Sequence, residues 1–145
     1  MILRIPGKPI AKKRPKFFRK GNHVGTYSDQ GTEEGKVMLL VNDQLRGHAL
    51  IEGAVKFEAI FYMPIPKSTS KKKMAKMTNG KLLHTKKPDI DNLVKFIFDC
   101  LNGLAWKDDT QVVSLDVKKI YSDNPRTVIE ISEIELLTEQ VEIST

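Results

Sequence analysis

The chain has 145 residues, of which 40% are hydrophobic and 29% are charged, and its net charge is +6 at pH 7. These values predict one globular domain spanning residues 1–145 with a single core. No window of about 18 apolar residues exists, so we expect no membrane span, and the N-terminus does not resemble a secretory signal. The only cysteine, Cys100, excludes an intrachain disulfide and favours a cytoplasmic protein with a buried thiol. The histidines His23, His48 and His84 lack metal-ligand spacing, which argues against zinc.

The basic residues are concentrated in two segments. Residues 1–28 carry eight lysines or arginines and no acidic residue, and residues 64–88 carry another eight and again no acid. The sequence after Arg126 contains five glutamates and no base. Such separation creates a one-sided field and indicates a polyanionic partner, although a merely solvated basic surface is the alternative.

The chain begins with a predicted short strand over residues 1–5, which Pro6 and Gly7 end. For residues 8–20 we predict no regular structure, because prolines interrupt clustered charges. Phe17 and Phe18 lie among these cations. They could stack on unpaired bases while the cations hold phosphates, or they could simply pack on the core.

A helix is predicted over residues 30–46, with Ser28 or Thr32 as its cap and Gly47 as its end. The next segment, residues 54–63, alternates between apolar and other side chains and predicts a strand. The residues expected to face inward on this strand are Val55, Phe57, Ala59, Phe61 and Met63.

Residues 65–86 are rich in lysine, serine and threonine and show little periodicity. A connection of this length is usually functional or mobile. A short helix over residues 71–76 is conceivable, and the composition suits a segment that becomes ordered on a nucleic-acid backbone.

A strongly amphipathic helix should begin at Asp89 or Asp91 and end at Gly103. One stripe is apolar (Leu93, Ile97, Leu101 and Leu104) and the opposite stripe is polar (Asp91, Lys95, Asp99 and Asn102). Two strands follow, over residues 111–121 and 126–135, and we expect them to form a hairpin around the turn SDNP. The inward face of the first is predicted to be Val113, Leu115, Val117 and Tyr121.

The acidic end of the chain, from residue 133 to residue 145, is predicted to be a short helix or a frayed tail. The order of elements predicts an α+β domain, a small mixed β-sheet with helices packed on one face.

Two pairs of aspartates flank the amphipathic helix: Asp89 with Asp91, and Asp108 with Asp109. Carboxylates gathered in a basic protein suggest a divalent cation acting on a phosphate polymer. Phosphodiester hydrolysis needs an activated water and stabilisation of the leaving oxygen, and two Mg²⁺ ions held by carboxylates supply both. We therefore expect the strand after the helix to bring Asp109 to the first pair. Lys95, on the same polar face, would contact the scissile phosphate.

Each of these features also has a simpler interpretation. The first pair could be a helix cap, the second could be ordinary turn chemistry, and Lys95 could be a solvated partner of Asp91. A calcium loop is excluded because Leu93 and Val94 stand where that loop requires an oxygen ligand and a glycine.

The combination is more specific than its parts. PDIDNLVKFIFDCLNG, followed by WKDDTQVV and then by a strand with Lys118 and Lys119, resembles the RusA family of Holliday junction resolvases. The early segment IPGKPIAKKRP is similar to the N-terminal region of that family. The resemblance covers most of the chain and is dense from Lys87 to Lys119.

The resemblance implies a homodimeric endonuclease with a RusA-like fold that requires Mg²⁺, two ions per site with Mn²⁺ as a substitute, and acts on branched DNA. The metal-binding aspartates would be Asp89, Asp91 and Asp109, and the catalytic lysine Lys95. Lys119 rather than Lys118 matches the later lysine. A two-fold dimer suits a four-way junction, which is close to two-fold symmetric. Relatives of this kind occur in bacteria, phages and prophages, and we expect no membrane and no small-molecule cofactor.

The residues predicted to contact DNA come from both basic segments and from the last lysine: Lys12, Lys13, Arg14, Lys16, Lys71, Lys72, Lys73, Lys86, Lys87 and Lys119. Two other functions remain open at this point. One is a nucleic-acid-binding module without catalysis, and the other is a nuclease for flaps, replication forks or RNA.

Overall fold

The computed structural model describes residues 1–27 and 29–135. Ser28, one of the two predicted caps, and most of the acidic tail lie outside these residues. The elements run in chain order β1 (Ile2–Pro6), β2 (Lys16–Lys20), β3 (His23–Tyr27), α1 (Gly31–Gln44), β4 (Val55–Pro64), α2 (Lys71–Thr78), α3 (Ile90–Leu101), β5 (Val112–Ser122) and β6 (Arg126–Glu133).

The main sheet has four strands in the order β1-β6-β4-β5. β4 lies inside the sheet, parallel to β5 on one side and antiparallel to β6 on the other. The chain leaves β4, returns along α3 and re-enters the sheet as β5, which is the usual way to join parallel neighbours. The predicted α+β class with a mixed sheet is confirmed.

The predicted hairpin of the last two strands is wrong. β5 and β6 do not pair with each other, because β4 lies between them and bonds to both. The short turn at residues 123–125 therefore crosses the end of β4. β4 takes the central position because all five of its predicted inward side chains are buried, so it is the strand that gains most from two neighbours.

One continuous core fills the space between the sheet and two helices. The alternate residues of β4 pack there with the apolar stripe of α3, and Val37 and Val41 join them from α1. Leu93, Ile97 and Leu101 are buried as predicted, and Trp106, just after α3, is also fully buried in the core. No helix in the described ranges is long and apolar enough to cross a membrane.

β5 is the edge strand, and its inward face is only partly covered. Tyr121 is buried, but Val113 and Leu115 are 49% and 51% exposed. The register between β4 and β5 shifts near Val113, where β5 has one residue more than its neighbour. The bulge takes Val113 out of the alternation, whereas Leu115 pairs with the buried Phe57 and so lies on the inward face, at a part of the edge that is not covered.

Residues 8–20 are not wholly irregular, which corrects the sequence prediction. Lys16–Lys20 forms β2, which pairs with β3 in a separate two-stranded antiparallel sheet. A two-residue turn joins them, with Gly21 at its first position and a positive φ of 62°. Glycine at that position suits the tight turns that match strand twist. The prolines that argued against structure precede the strand rather than interrupt it.

The basic connection after β4 contains the helix α2, as its composition allowed. Ser70 caps α2 by accepting a hydrogen bond from the backbone N–H of Lys73 at 3.3 Å. Only Met77 of this helix is buried. The lysines of the connection are therefore displayed on its surface.

Candidate active site

Asp89 and Asp91 lie at the start of α3, as predicted. Asp89 occupies the N-cap position with extended backbone, yet its carboxylate accepts no capping hydrogen bond. Asp91 lies in the first turn, and both residues are exposed. Neither carboxylate has a hydrogen bond or ion pair within the described residues, so the simple capping interpretation does not account for Asp89. The positive end of the helix dipole favours both charges.

The polar stripe of α3 divides into two parts. Lys95, one turn after Asp91, is exposed, and its ammonium has no ion pair inside the described ranges. Asp99, one turn further, forms an ion pair with Lys12 at 2.8 Å. Asp99 is therefore structural, whereas the first two turns of the helix leave their charged groups available to an external ligand.

Lys119 lies close to the aspartate pair. Its ammonium group donates to the carbonyl oxygens of Lys86 at 2.6 Å and of Pro88 at 2.9 Å, and Pro88 directly precedes Asp89. In the sheet, Lys119 pairs with the inward-facing Phe61, whereas Lys118 is exposed on the opposite face. The fold thus separates the two lysines and supports the choice of Lys119.

Asp109 lies at the other end of this unit. It begins a 3₁₀ turn just before β5. Gln111, at the end of the same turn, donates from its side chain to the carbonyl oxygens of Ile51 at 2.7 Å and Gly53 at 3.0 Å, just before β4. Because α3 runs antiparallel to β4 and β5, its length of about 18 Å separates this end from Asp89. No group of three or more metal-ligating side chains forms within the described part of one chain. The expected approach of Asp109 to the pair does not occur in one protomer, and its role as a metal ligand stays a prediction.

Asp108 and Asp109 have different surroundings. The carboxylate of Asp108 accepts a hydrogen bond from the backbone N–H of Thr110 at 3.2 Å. Hydrogen bonds from Thr110 lower the pKa of Asp108. In the opposite direction, the side-chain oxygen of Gln111 accepts hydrogen bonds from the backbone N–H groups of Lys107 and Asp108. This is a capping box, so Asp108 is structural, and Asp109 is left with no partner in the described ranges.

Gln111 is a positioning residue that sequence reasoning missed. Its side chain ties the turn containing Asp109 to the start of β4. The signal was present, because an aspartate followed three residues later by glutamine is the signature of a capping box.

The residues predicted to bind DNA divide by their partners. Lys12, Lys13 and Lys16 form ion pairs with nearby carboxylates at 2.8–3.6 Å. Hydrogen bonds with Asp99 and then Glu34 raise the pKa of Lys12. The others, apart from Lys119, are exposed and have no ion pair within the described residues: Arg14, Lys71, Lys72, Lys73, Lys86 and Lys87.

A cleft of about 310 Å³ opens beside Pro88 and is lined by the basic side chains of Lys8, Lys86 and Lys87. Its wall includes His84, whose ring lies 4.8 Å from that of Tyr121. His84 is buried, and its Nδ1 atom has no hydrogen-bond partner in the described residues. Burial and then the charge of Lys119 lower the pKa of His84. The fold therefore favours neutral His84 beside a basic cleft.

Acidification should destabilise the protein through His84. The folded-state pKa is lowered, so the unfolded chain binds the proton first as the pH falls below about 6.5. The resulting stability is present above that value and is lost on further acidification. Urea unfolding from about pH 7 to 5 should show a smaller loss for His84→Phe than for the wild type. His48→Phe, at an exposed position, should retain the wild-type slope, and an unchanged slope in His84→Phe would contradict the assignment.

A basic α+β protein whose aspartates Asp89 and Asp91 have no partner among the described residues and lie near Lys95 and Lys119 has the donor set of a metal-dependent enzyme that acts on phosphodiesters. The chain matches the family described as "Endodeoxyribonuclease RusA" over residues 6–132. It belongs to the RusA endodeoxyribonuclease family, which confirms the resemblance found in the sequence. Membership supports an endodeoxyribonuclease.

The chain is also similar to two curated proteins. The uncharacterized protein YqaN of Bacillus subtilis (strain 168) is 40% identical over 133 residues, which cover 90% of this chain and 94% of YqaN. A protein of Lactococcus phage r1t named "Crossover junction endodeoxyribonuclease rusA" is 41% identical over 51 residues, which cover 34% of this chain and 39% of the phage protein.

Proposed function

We propose that the protein is a Mg²⁺-dependent endodeoxyribonuclease that resolves four-way DNA junctions by paired nicks during recombination and repair. The observation that carries this proposal is the pair Asp89 and Asp91, which has no partner in the described part of the chain and lies beside Lys119, in a chain of the RusA family. The two neighbouring carboxylates repel each other, and a bound cation would remove this repulsion. Their position at a helix start next to basic side chains suits a phosphate backbone.

Asp89 and Asp91 fit a divalent cation because Mg²⁺ prefers carboxylate oxygens. When bound, Mg²⁺ supplies an activated water and neutralises charge on the leaving oxygen. Lys95 lies one turn from Asp91, and from there it would contact the scissile phosphate. Lys119 holds the backbone of the segment that leads into Asp89, so it positions the pair. The exposed lysines of the cleft and of α2 hold the flanking phosphates.

A homodimer would complete the site. Asp109 lies a helix length from the pair in its own protomer, so a third carboxylate must come from elsewhere. In a two-fold dimer, Asp109 of the partner subunit can meet Asp89 and Asp91, and the reciprocal contact forms the second site. The outer edge of β5, which no described strand covers, supports this arrangement. It starts beside Asp109 and carries the half-exposed Val113 and Leu115, which a partner would cover.

The experiment that tests this function compares four-way, forked and linear duplex DNA in Mg²⁺, with the cuts mapped on sequencing gels. We expect paired, symmetric nicks in the four-way junction and no cutting of linear duplex, because each of the two active sites of a dimer would cut one of two strands of the junction. Equal cutting of all three would instead indicate a nuclease of broader range. Binding without cutting in Mg²⁺ or Mn²⁺ would indicate a non-catalytic module.

A further inference from the structure

The β2–β3 hairpin (residues 16–27) is an exposed ribbon that pairs with no other strand of the described residues. β2 is exposed at every position, and only Gly25 of β3 is partly covered. The ribbon nevertheless carries large apolar side chains: Phe17 is 79% exposed, Val24 is 59% exposed and Tyr27 is 50% exposed. An isolated two-stranded hairpin is marginally stable in water, and exposed apolar surface of this kind marks an interaction site.

The two faces of the ribbon differ in what they do. Strand pairing places Phe18 opposite Gly25 on one face, with His23 and Tyr27 beside it. The Phe18 ring lies over Gly25, where a Cβ atom would come within 2.5 Å of Phe18 Cζ. It also contacts the rings of His23 and Tyr27 at centroid distances of 6.1 and 6.2 Å. Phe18 therefore stabilises the hairpin from within.

The other face carries Phe17, Arg19, Val24 and Thr26, as their pairing shows. Phe17 is the most exposed apolar side chain in the described part of the chain. Val24 lies diagonally across from Phe17 on β3. Arg19 lies two residues after Phe17, on the same face of β2. This face joins an apolar surface to a cation without an acidic residue, which is the composition that binds unpaired bases next to phosphates.

The hairpin is anchored next to the candidate active site. Gln30, fully buried, donates to the carbonyl oxygen of Ala11 at 2.7 Å and accepts from the backbone N–H of Lys13 at 2.8 Å, which ties both ends of the hairpin together. The backbone N–H of Lys12 donates to the carbonyl oxygen of Asn92 at 2.8 Å, one residue after Asp91. The segment that leads into the ribbon therefore contacts the helix that carries the aspartates.

We infer that the β2–β3 hairpin is a branch-recognition element whose Phe17–Val24 face contacts unstacked bases at the DNA crossover, while Phe18 maintains the ribbon. The inference rests on the proposed function for its ligand. Charge selects that ligand, because residues 1–28 contain basic residues and no acid and an exposed cationic face suits a polyanion. Apolar side chains inserted at a base step unstack it, and a four-way junction offers such steps already weakened.

The test uses the full chain in EDTA, so that binding is measured without cleavage. The probes are a four-way junction with 2-aminopurine beside the crossover and a linear duplex of the same sequence. Phe17→Ala should weaken junction binding by roughly 10-fold or more and abolish the 2-aminopurine fluorescence change. Duplex binding should change less than about 2-fold, since paired bases offer no such contact. Phe17→Trp should retain both the affinity and the signal.

Leu39→Ala is the matched control, because Leu39 is 73% exposed on α1, and it should behave as the wild type. Equal losses on junction and duplex, or no loss for Phe17→Ala, would overturn the inference. So would a change in oligomeric state in Phe17→Ala, which would make this face a contact between copies. If the wild type cuts no DNA but the Phe17 effect is present, only the nuclease proposal fails. If it cuts junctions and Phe17→Ala binds normally, only this inference fails.

Discussion

Replacing Asp89 or Asp91 by asparagine should abolish Mg²⁺-dependent cutting of four-way DNA while leaving binding intact. Loss of a partner that merely orients a metal ligand costs about 10- to 100-fold, so loss of a ligand should cost at least about 100-fold in cleavage rate. Removing a negative charge from a surface that faces phosphates should leave affinity unchanged or tighten it. Single-turnover cleavage and gel shifts at fixed salt measure the two effects separately.

Asp123→Asn is the matched control, because Asp123 is also an exposed aspartate and lies in the turn before β6, outside the segment that carries the aspartate pair. It should cut junctions at the wild-type rate. Asp108→Ala provides a second comparison. It removes a capping acceptor and should reduce stability before it affects chemistry. Normal cleavage by Asp89→Asn or Asp91→Asn would disprove the metal-site assignment.

Mixing two inactive variants should restore cutting if the site is shared between subunits. A heterodimer of Asp89→Asn with Asp109→Asn places both substitutions in one composite site and leaves the other site intact. Coexpression with two different affinity tags isolates the heterodimer, which should nick one strand of the junction. A site formed within one protomer would instead be damaged in both subunits and would remain inactive.

The pairing of Asp89→Asn with Asp91→Asn is the control for this experiment. Both residues belong to the same helix start, so each site of that heterodimer lacks one ligand and no activity should return. Full activity in Asp109→Asn alone would remove Asp109 from the site. An inactive Asp89→Asn and Asp109→Asn heterodimer would show that the carboxylates do not combine across the dimer.

Several features of this protein follow from the sequence because they depend on neighbouring residues. The alternation over β4 identified its buried face, and the 3.6-residue period identified the buried side of α3. The same local spacing placed Asp89 and Asp91 at a helix start. The contacts with Lys12 and Thr110, in contrast, were needed to give Asp99 and Asp108 their structural roles. The sequence motifs also indicated the RusA family, which the match over residues 6–132 confirms.

Features that depend on distant parts of the chain were decided only by tertiary structure. Local spacing does not specify which strand takes the centre of a sheet, so the last two strands were paired wrongly when β4 in fact lies between them. The same cause explains the position of Asp109: the return path of α3 sets it a helix length from Asp89. Packing likewise distinguished Phe17 from Phe18, since only strand pairing shows which ring covers Gly25. A short segment determines which functional side chains it carries. Whether side chains from distant segments meet in one site depends on long-range strand pairing, which no short segment specifies.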